Sequence, residues 1–272
     1  MGEVLKRLAR TGKALGLQLF ADRATARLIR SAKPMDVAEM LNAVDAVMAL
    51  GGDGTMLRVV RELDGRDKPI IGVKIGGLGF LTSVSEDDVD RALRCLARGE
   101  FTTSIRAILD CRAERKGRKL ASYRALNDVV VSSGPSARVI TLDVAIDGDS
   151  VTSYVCDGLI VSTPTGSTGH SLSAGGPILT PGTPAFVLSL ICPHTLSSRP
   201  LVVPDRSEIV VLAAKSGGHL RLSVDGQVGR TLVQGDRVRV SKSQSGVRFI
   251  QLPGHSYFAV LRQKLHWSGS NL

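Results

Sequence analysis

The stretch Gly51-Gly52-Asp53-Gly54-Thr55 sets one carboxylate among glycines. It follows the apolar run Ala46-Val47-Met48-Ala49-Leu50 and precedes Met56-Leu57-Arg58-Val59-Val60. A short apolar strand that enters a glycine-rich turn and then a helix is how α/β proteins hold phosphate. Glycine reaches dihedrals that other residues resist, and with no side chain it lets a phosphate approach the backbone N–H groups. A carboxylate in such a cradle repels the ligand unless it has a task, most simply proton abstraction or Mg²⁺ coordination. No Lys-Ser or Lys-Thr follows the glycines, so this is not a Walker A loop. The pattern points to phosphoryl transfer on another architecture. Asp53 is the catalytic candidate, with Gly51, Gly52, Gly54, Thr55 and Arg58 as candidates for binding phosphate or nucleotide.

A second constellation spans residues 162–177, Ser-Thr-Pro-Thr-Gly-Ser-Thr-Gly-His-Ser-Leu-Ser-Ala-Gly-Gly-Pro. Glycines, hydroxyls and prolines make a poor core but a good polar wall, able to grip sugar and phosphate oxygens without charge. Such composition is common in disordered connectors. Here Leu159-Ile160-Val161 and Ile178-Leu179 flank it tightly, which favours an ordered binding loop.

The elements that must carry these loops fall into two grammars. Over the first hundred residues strand and helix patterns alternate, which implies a parallel sheet. Leu5, Leu8 and Ala9 recur at helical spacing, and 15–20 reads as a strand. Residues 45–50 and 69–74 are short apolar runs bounded by turn residues. Ser85 is expected to cap a helix that has an acidic first turn and ends at Gly99. After Phe101 come β-rich runs at 105–114, 122–132, 138–147, 151–156, 158–162, 208–213, 220–224, 237–241 and 247–252, the mark of a mostly antiparallel domain. Phe258, Leu261 and Leu265 return to helical spacing. The expected division is an α/β nucleotide-phosphate domain over 1–100 and a β-rich domain over 101–254, with a helix in 255–272 packing back on the first.

Composition limits the function classes. The 272 residues favour two domains, and 43% hydrophobic with 22% charged residues describes an ordinary globule. No apolar stretch approaches the roughly 20 residues that cross a bilayer, and the start lacks the features of a signal peptide. Cys95, Cys111, Cys156 and Cys192 are scattered without metal-ligand spacing, as expected of buried thiols in a reducing, cytoplasmic setting. The net charge of +10 favours polyanionic ligands. The basic residues are dispersed and aromatics are only 4%, so neither a nucleic-acid surface nor a stacking platform is expected.

Taken in order, several motifs together resemble the NAD kinases, which transfer a phosphoryl group from ATP or inorganic polyphosphate to the 2′-hydroxyl of NAD's adenosine ribose. The motifs are Leu50 to Thr55, Ile71-Gly72-Val73-Lys74-Ile75-Gly76-Gly77-Leu78-Gly79-Phe80-Leu81-Thr82, and Leu126-Asn127-Asp128-Val129-Val130. They continue with Asp157 to Thr168, Leu172 to Pro177, and Ile191-Cys192-Pro193-His194-Thr195-Leu196 with Arg199-Pro200. The resemblance implies a Rossmann-like parallel α/β domain followed by an antiparallel β domain. It implies Asp53 as the catalytic aspartate, and Mg²⁺ or another divalent cation accompanying ATP or polyphosphate, with no cage of protein metal ligands assigned. It also implies NAD binding by Asn127, Asp128, Asp157, Thr165, Gly166, Thr168, Gly169, His170 and Ser173, in a homodimer or homotetramer.

Three positions depart from the family pattern. Asp128 stands where relatives usually have glutamate, one methylene longer. Gly169-His170 replaces a common Ala-Tyr, and His170 is read either as stacking on a base or as a polar surface residue. The family starts with a strand and a loop before its first helix, whereas this sequence starts inside that helix, so one strand is expected to be missing. Two rival readings remain open: a non-catalytic NAD-binding module of the same fold, and a lipid kinase sharing the glycine loop. The second lacks its Gly-Thr-Gly-Asn-Asp segment here.

Overall fold

The computed structural model describes residues 1–29, 32–76, 79–134 and 139–267. Gly77 and Leu78 of the second motif, Arg138 of the expected strand at 138–147, and the end of the expected C-terminal helix beyond 267 lie outside them. The chain divides into two compact units, Met1–Ile105 with Val247–Leu272, and Arg106–Gly246.

In the first unit a four-stranded sheet runs in the order Val47–Gly51, Ile70–Lys74, Val247–Gln251, Thr102–Arg106. The first strand pairs parallel with the second, and Val247–Gln251 is parallel to Ile70–Lys74. That last strand, which the sequence grammar groups with the β-rich run, thus joins the α/β sheet. Its partner is about 180 residues upstream, a distance no local pattern reports. The helices Gly2–Ala14 and Val89–Arg98 bury Val4, Leu5, Leu8, Val89, Ala92 and Leu93 in one apolar cluster with Ile71 and Val73. Two local expectations shift. The strand near 15–20 begins only at Phe20, after a turn at Leu15–Gly16. Ser85 closes a turn, its hydroxyl donating to Asp88 Oδ2 at 2.9 Å, and the helix starts after Asp88. Gly99 ends that helix in the left-handed region (φ 69°), as expected of a C-cap glycine.

The second unit contains two six-stranded antiparallel sheets. One runs Asp149–Cys156, Ile140–Ile146, Ile209–Ser216, Arg237–Lys242, Leu109–Arg115, Arg118–Ala125. The other runs Leu201–Pro204, Ala185–Ile191, Gly158–Ser162, Asp128–Ser133, Leu220–Val224, Val228–Leu232. Alternate side chains from both sheets, among them Leu142, Val211, Val240, Val129, Val161 and Phe186, share one core. Such alternation is what one buried face per sheet demands. Gly158–Ser162 is buried on both faces. The short helix His170–Ser173 covers its outer side, where Ser171 and Ser189 pair their hydroxyls at 3.0 Å. Cys95, Cys111 and Cys156 are buried, and burial pushes the Cys111 thiol up to about 12. Cys192, expected among the buried thiols, is exposed instead, on the surface segment that follows Ile191. Among the described residues no helix is long and apolar enough to cross a membrane.

Candidate functional site

In the first unit the glycine turn links the strand Val47–Gly51 to the helix Asp53–Leu63, with Gly52 as its N-cap and Asp53 as its first residue. Glycine is required at position 51 by close approach, since a Cβ there would lie 2.3 Å from Thr55 Oγ1. The Asp53 carboxylate is held by the segment that follows the next strand. Phe80 N donates to Oδ2 and Leu81 N to Oδ1, each at 2.9 Å. Each oxygen keeps a free lone pair, so the group is oriented but not saturated. Gly79 permits this approach, because a Cβ there would sit 2.2 Å from Asp53 Oδ1. The C-terminal helix Tyr257–Leu265 supports the segment in turn, with Lys264 Nζ 5.5 Å from the centre of the Phe80 ring.

Gly54 and Thr55 lie in the first turn of that helix beside Asp53, and Arg58 lies further along it. It lies five residues beyond Asp53, about 140° around the helix. Its guanidinium stands 4.0 Å from Glu62. Burial pushes the Asp22 carboxyl up, and hydrogen bonds from Thr25 and Ala24, with a smaller contribution from the Arg58 charge, leave it low.

In the second unit Asn127 and Asp128 enter the strand Asp128–Ser133, whose neighbour Gly158–Ser162 leads into the loop beginning at Thr163. The two are locked together by backbone. Thr163 N donates to Asn127 O at 2.9 Å, and the Thr163 hydroxyl donates to Leu126 O at 2.5 Å. Gly166 presses so close that a Cβ would lie 2.1 Å from Asn127 O. That oxygen belongs to the main chain and cannot swing aside. Gly166→Ala is therefore expected to destabilise the protein by about 1–3 kcal/mol, read as a lower denaturant midpoint.

Asp225 completes the cluster; with Gly226 it is a plain hairpin signal in the sequence, one that the family resemblance also implies near the nucleotide site. Asp225, in the left-handed region (φ 52°), accepts from the backbone N–H groups of Leu126, Asn127 and Asp128 at 2.9, 2.7 and 3.0 Å. Burial pushes its carboxyl up to about 6, further raised by the Asp128 charge and opposed by those three hydrogen bonds. Asp128 is 2% exposed. Burial raises its carboxyl too, and His170, with Nδ1 3.5 Å from Asp128 Oδ2, opposes the rise. His170 projects into solvent from the start of its helix, close beside the turn at Gly226.

Three buried polar atoms on this strand entrance and the loop bonded to it have no hydrogen-bond partner: Asn127 Oδ1, Asp128 Oδ1 and Thr165 Oγ1. Leaving buried polar atoms unmade is costly, and such atoms at one place mark where a polar ligand docks. Gly169 lies alongside, a Cβ there standing 3.8 Å from Asn127 Nδ2 and 3.9 Å from Asp128 Oδ2. Thr168 donates to Thr165 O at 3.3 Å, and Ser173 is exposed at the end of the short helix. Asp157 is not brought to this cluster. It precedes Gly158 at the far end of the strand whose Ser162 pairs with Asp128, about 17 Å away at the rise of a strand. Among the described residues no group of three His, Cys, Asp or Glu side chains is placed to hold a metal ion.

The ATP-NAD kinase N-terminal domain matches residues 24–101 and the ATP-NAD kinase C-terminal domain matches 126–252. The NAD kinase of Gemmatimonas aurantiaca is 46% identical over 227 residues, 83% of this chain and 78% of that protein. The NAD kinase of Aromatoleum aromaticum is 40% identical over 275 residues, covering 99% and 91% of the two chains. The crystal structure of yeast NADH kinase complexed with NADH superposes with a TM-score of 0.88 at 26% identity, over 98% of this chain and 85% of that one. An NAD kinase from Archaeoglobus fulgidus in complex with ATP gives 0.78 at 28% identity, over 97% and 95%. This chain belongs to the NAD kinase family.

Proposed function

We propose that the protein phosphorylates NAD at the 2′-hydroxyl of its adenosine ribose, giving NADP, with ATP or inorganic polyphosphate as donor. The observation that carries the reading within this chain is the trio of unpartnered buried atoms on Asn127, Asp128 and Thr165. An amide oxygen suits the amino edge of adenine, and a carboxylate accepts from the vicinal hydroxyls of a ribose. Asp53 takes the proton of the attacking hydroxyl, while the glycine turn offers backbone N–H groups to the donor's phosphates. A divalent cation fits this arrangement as a companion of those phosphates, since Mg²⁺ keeps mostly phosphate and water ligands and needs few carboxylates. When bound it would offset the charge that develops on the transferring group. The test is a coupled assay for NADP formation, run with ATP and then with polyphosphate. Product with either donor supports the reading, and none with both supports a non-catalytic NAD-binding module.

The assembly we propose is a homo-oligomer, at least a dimer, formed through the β-rich unit and working in the cytoplasm. Asp157 supports this reading, being too far along its strand to serve the adenosine cluster of its own unit. A second copy would bring it to a neighbour's dinucleotide. Light scattering at assay concentration is expected to report a dimer or tetramer, and a fully active monomer would remove the role of Asp157.

A further inference from the structure

Asp128 and His170 form a pair that the transfer reaction does not by itself require. Asp128 lies at the start of the strand Asp128–Ser133, and His170 heads the helix His170–Ser173. Asp225, the third ionisable group, sits in the turn after Leu220–Val224; its N–H donates to Asp128 O, and its carboxylate accepts from Asp128 N. Two carboxylates thus crowd one place, and the carboxylate of Asp225 is already engaged by three N–H groups. Asp128 has one oxygen facing the imidazole and the other buried without a hydrogen-bond partner. A buried carboxylate beside a second one loses its charge readily unless an opposite charge stands near. His170 is the group that faces it, with Nδ1 3.5 Å from Asp128 Oδ2, and it opposes the effect of burial on that carboxyl.

We propose that His170 is the positioning residue and counter-charge of Asp128, holding its carboxylate ionised with one oxygen free, so that dinucleotide binding is coupled to pH. The inference rests on the reading that the Asn127–Asp128 cluster receives NAD. A protonated Asp128 would present a hydroxyl of its own and could no longer accept from both ribose hydroxyls. Burial favours that protonated form and His170 opposes it, so removing the imidazole lets Asp128 take up a proton at higher pH. Affinity for NAD should then fall away on the acid side sooner than in the wild type. Asp225 contributes its own acid dependence to both proteins, and the difference between them isolates His170.

The experiment is calorimetric titration of NAD alone, without a phosphoryl donor, from about pH 5 to 8.5 on the wild type and on His170→Leu. Carboxyl NMR of the ligand-free proteins follows Asp128 itself over the same range. The acid limb of the affinity profile is expected to move to higher pH in the variant, with the Asp128 titration moving in the same direction. Because His170 is exposed, the variant should keep its fold. Superimposable affinity profiles, or an Asp128 titration unmoved by the substitution, would overturn the proposal. A wild type that binds no NAD at any pH would reject the functional reading instead, and the NMR measurement would still decide whether the pair exists.

Discussion

Asp53→Asn is expected to lower turnover by about 10²–10⁴-fold, the usual contribution of a general base, while NAD binding persists. The carboxylate is oriented by two N–H donors from Phe80 and Leu81 and retains lone pairs for an incoming proton. Asparagine offers one acceptor where two are needed, so its amide N–H₂ must face one of those donors. The substitution removes the base and loosens its orientation together. The groups assigned to NAD lie in a different compact unit, so the dissociation constant measured by calorimetry should change little. Turnover within a few-fold of wild type would take Asp53 out of the chemistry and leave it as the first residue of its helix.

The parts of this site that were legible in the sequence are those in which adjacent residues do the work. Apolar runs bounded by turns marked the strands Val47–Gly51 and Ile70–Lys74, and glycines around a carboxylate marked the turn that follows the first. The tightly flanked hydroxyl loop does fold as an ordered cover, because Thr163 and Gly166 bond and press onto the main chain at Leu126 and Asn127. What escaped is nonlocal. Asp225 reads in isolation as a plain hairpin residue, and its three acceptor bonds reach back across 97 to 99 positions. Gly79 shows no need for glycine until Asp53 stands beside it. Ala185–Ile191 lacks the alternation of a half-exposed strand, since it pairs on both sides in the sheet and its first five residues are buried. Arg58, a candidate for phosphate, lies 4.0 Å from Glu62 along its own helix, a neighbour that follows from helical spacing rather than from the glycine turn.

Asp128→Ala is expected to raise the Michaelis constant for NAD by roughly 5- to 150-fold, with little change in that for ATP. If Asp128 accepts from ribose hydroxyls, its loss leaves buried donors unpaired at about 1–3 kcal/mol. At about 1.4 kcal/mol per tenfold, that is the stated range. The backbone at this position does not depend on the side chain. Asp128 N donates to Asp225 Oδ1 at 3.0 Å and Asp128 O accepts from Asp225 N at 2.9 Å. Alanine keeps both bonds, so the strand entrance should survive and the defect should appear in acceptor binding rather than in stability. Asp128→Glu keeps the charge and lengthens the reach by one methylene. It should remain active, because the neighbouring imidazole faces solvent and can give way. Equal weakening of ATP and NAD by Asp128→Ala would point to a structural turn or a metal ligand, and the acceptor role would be withdrawn.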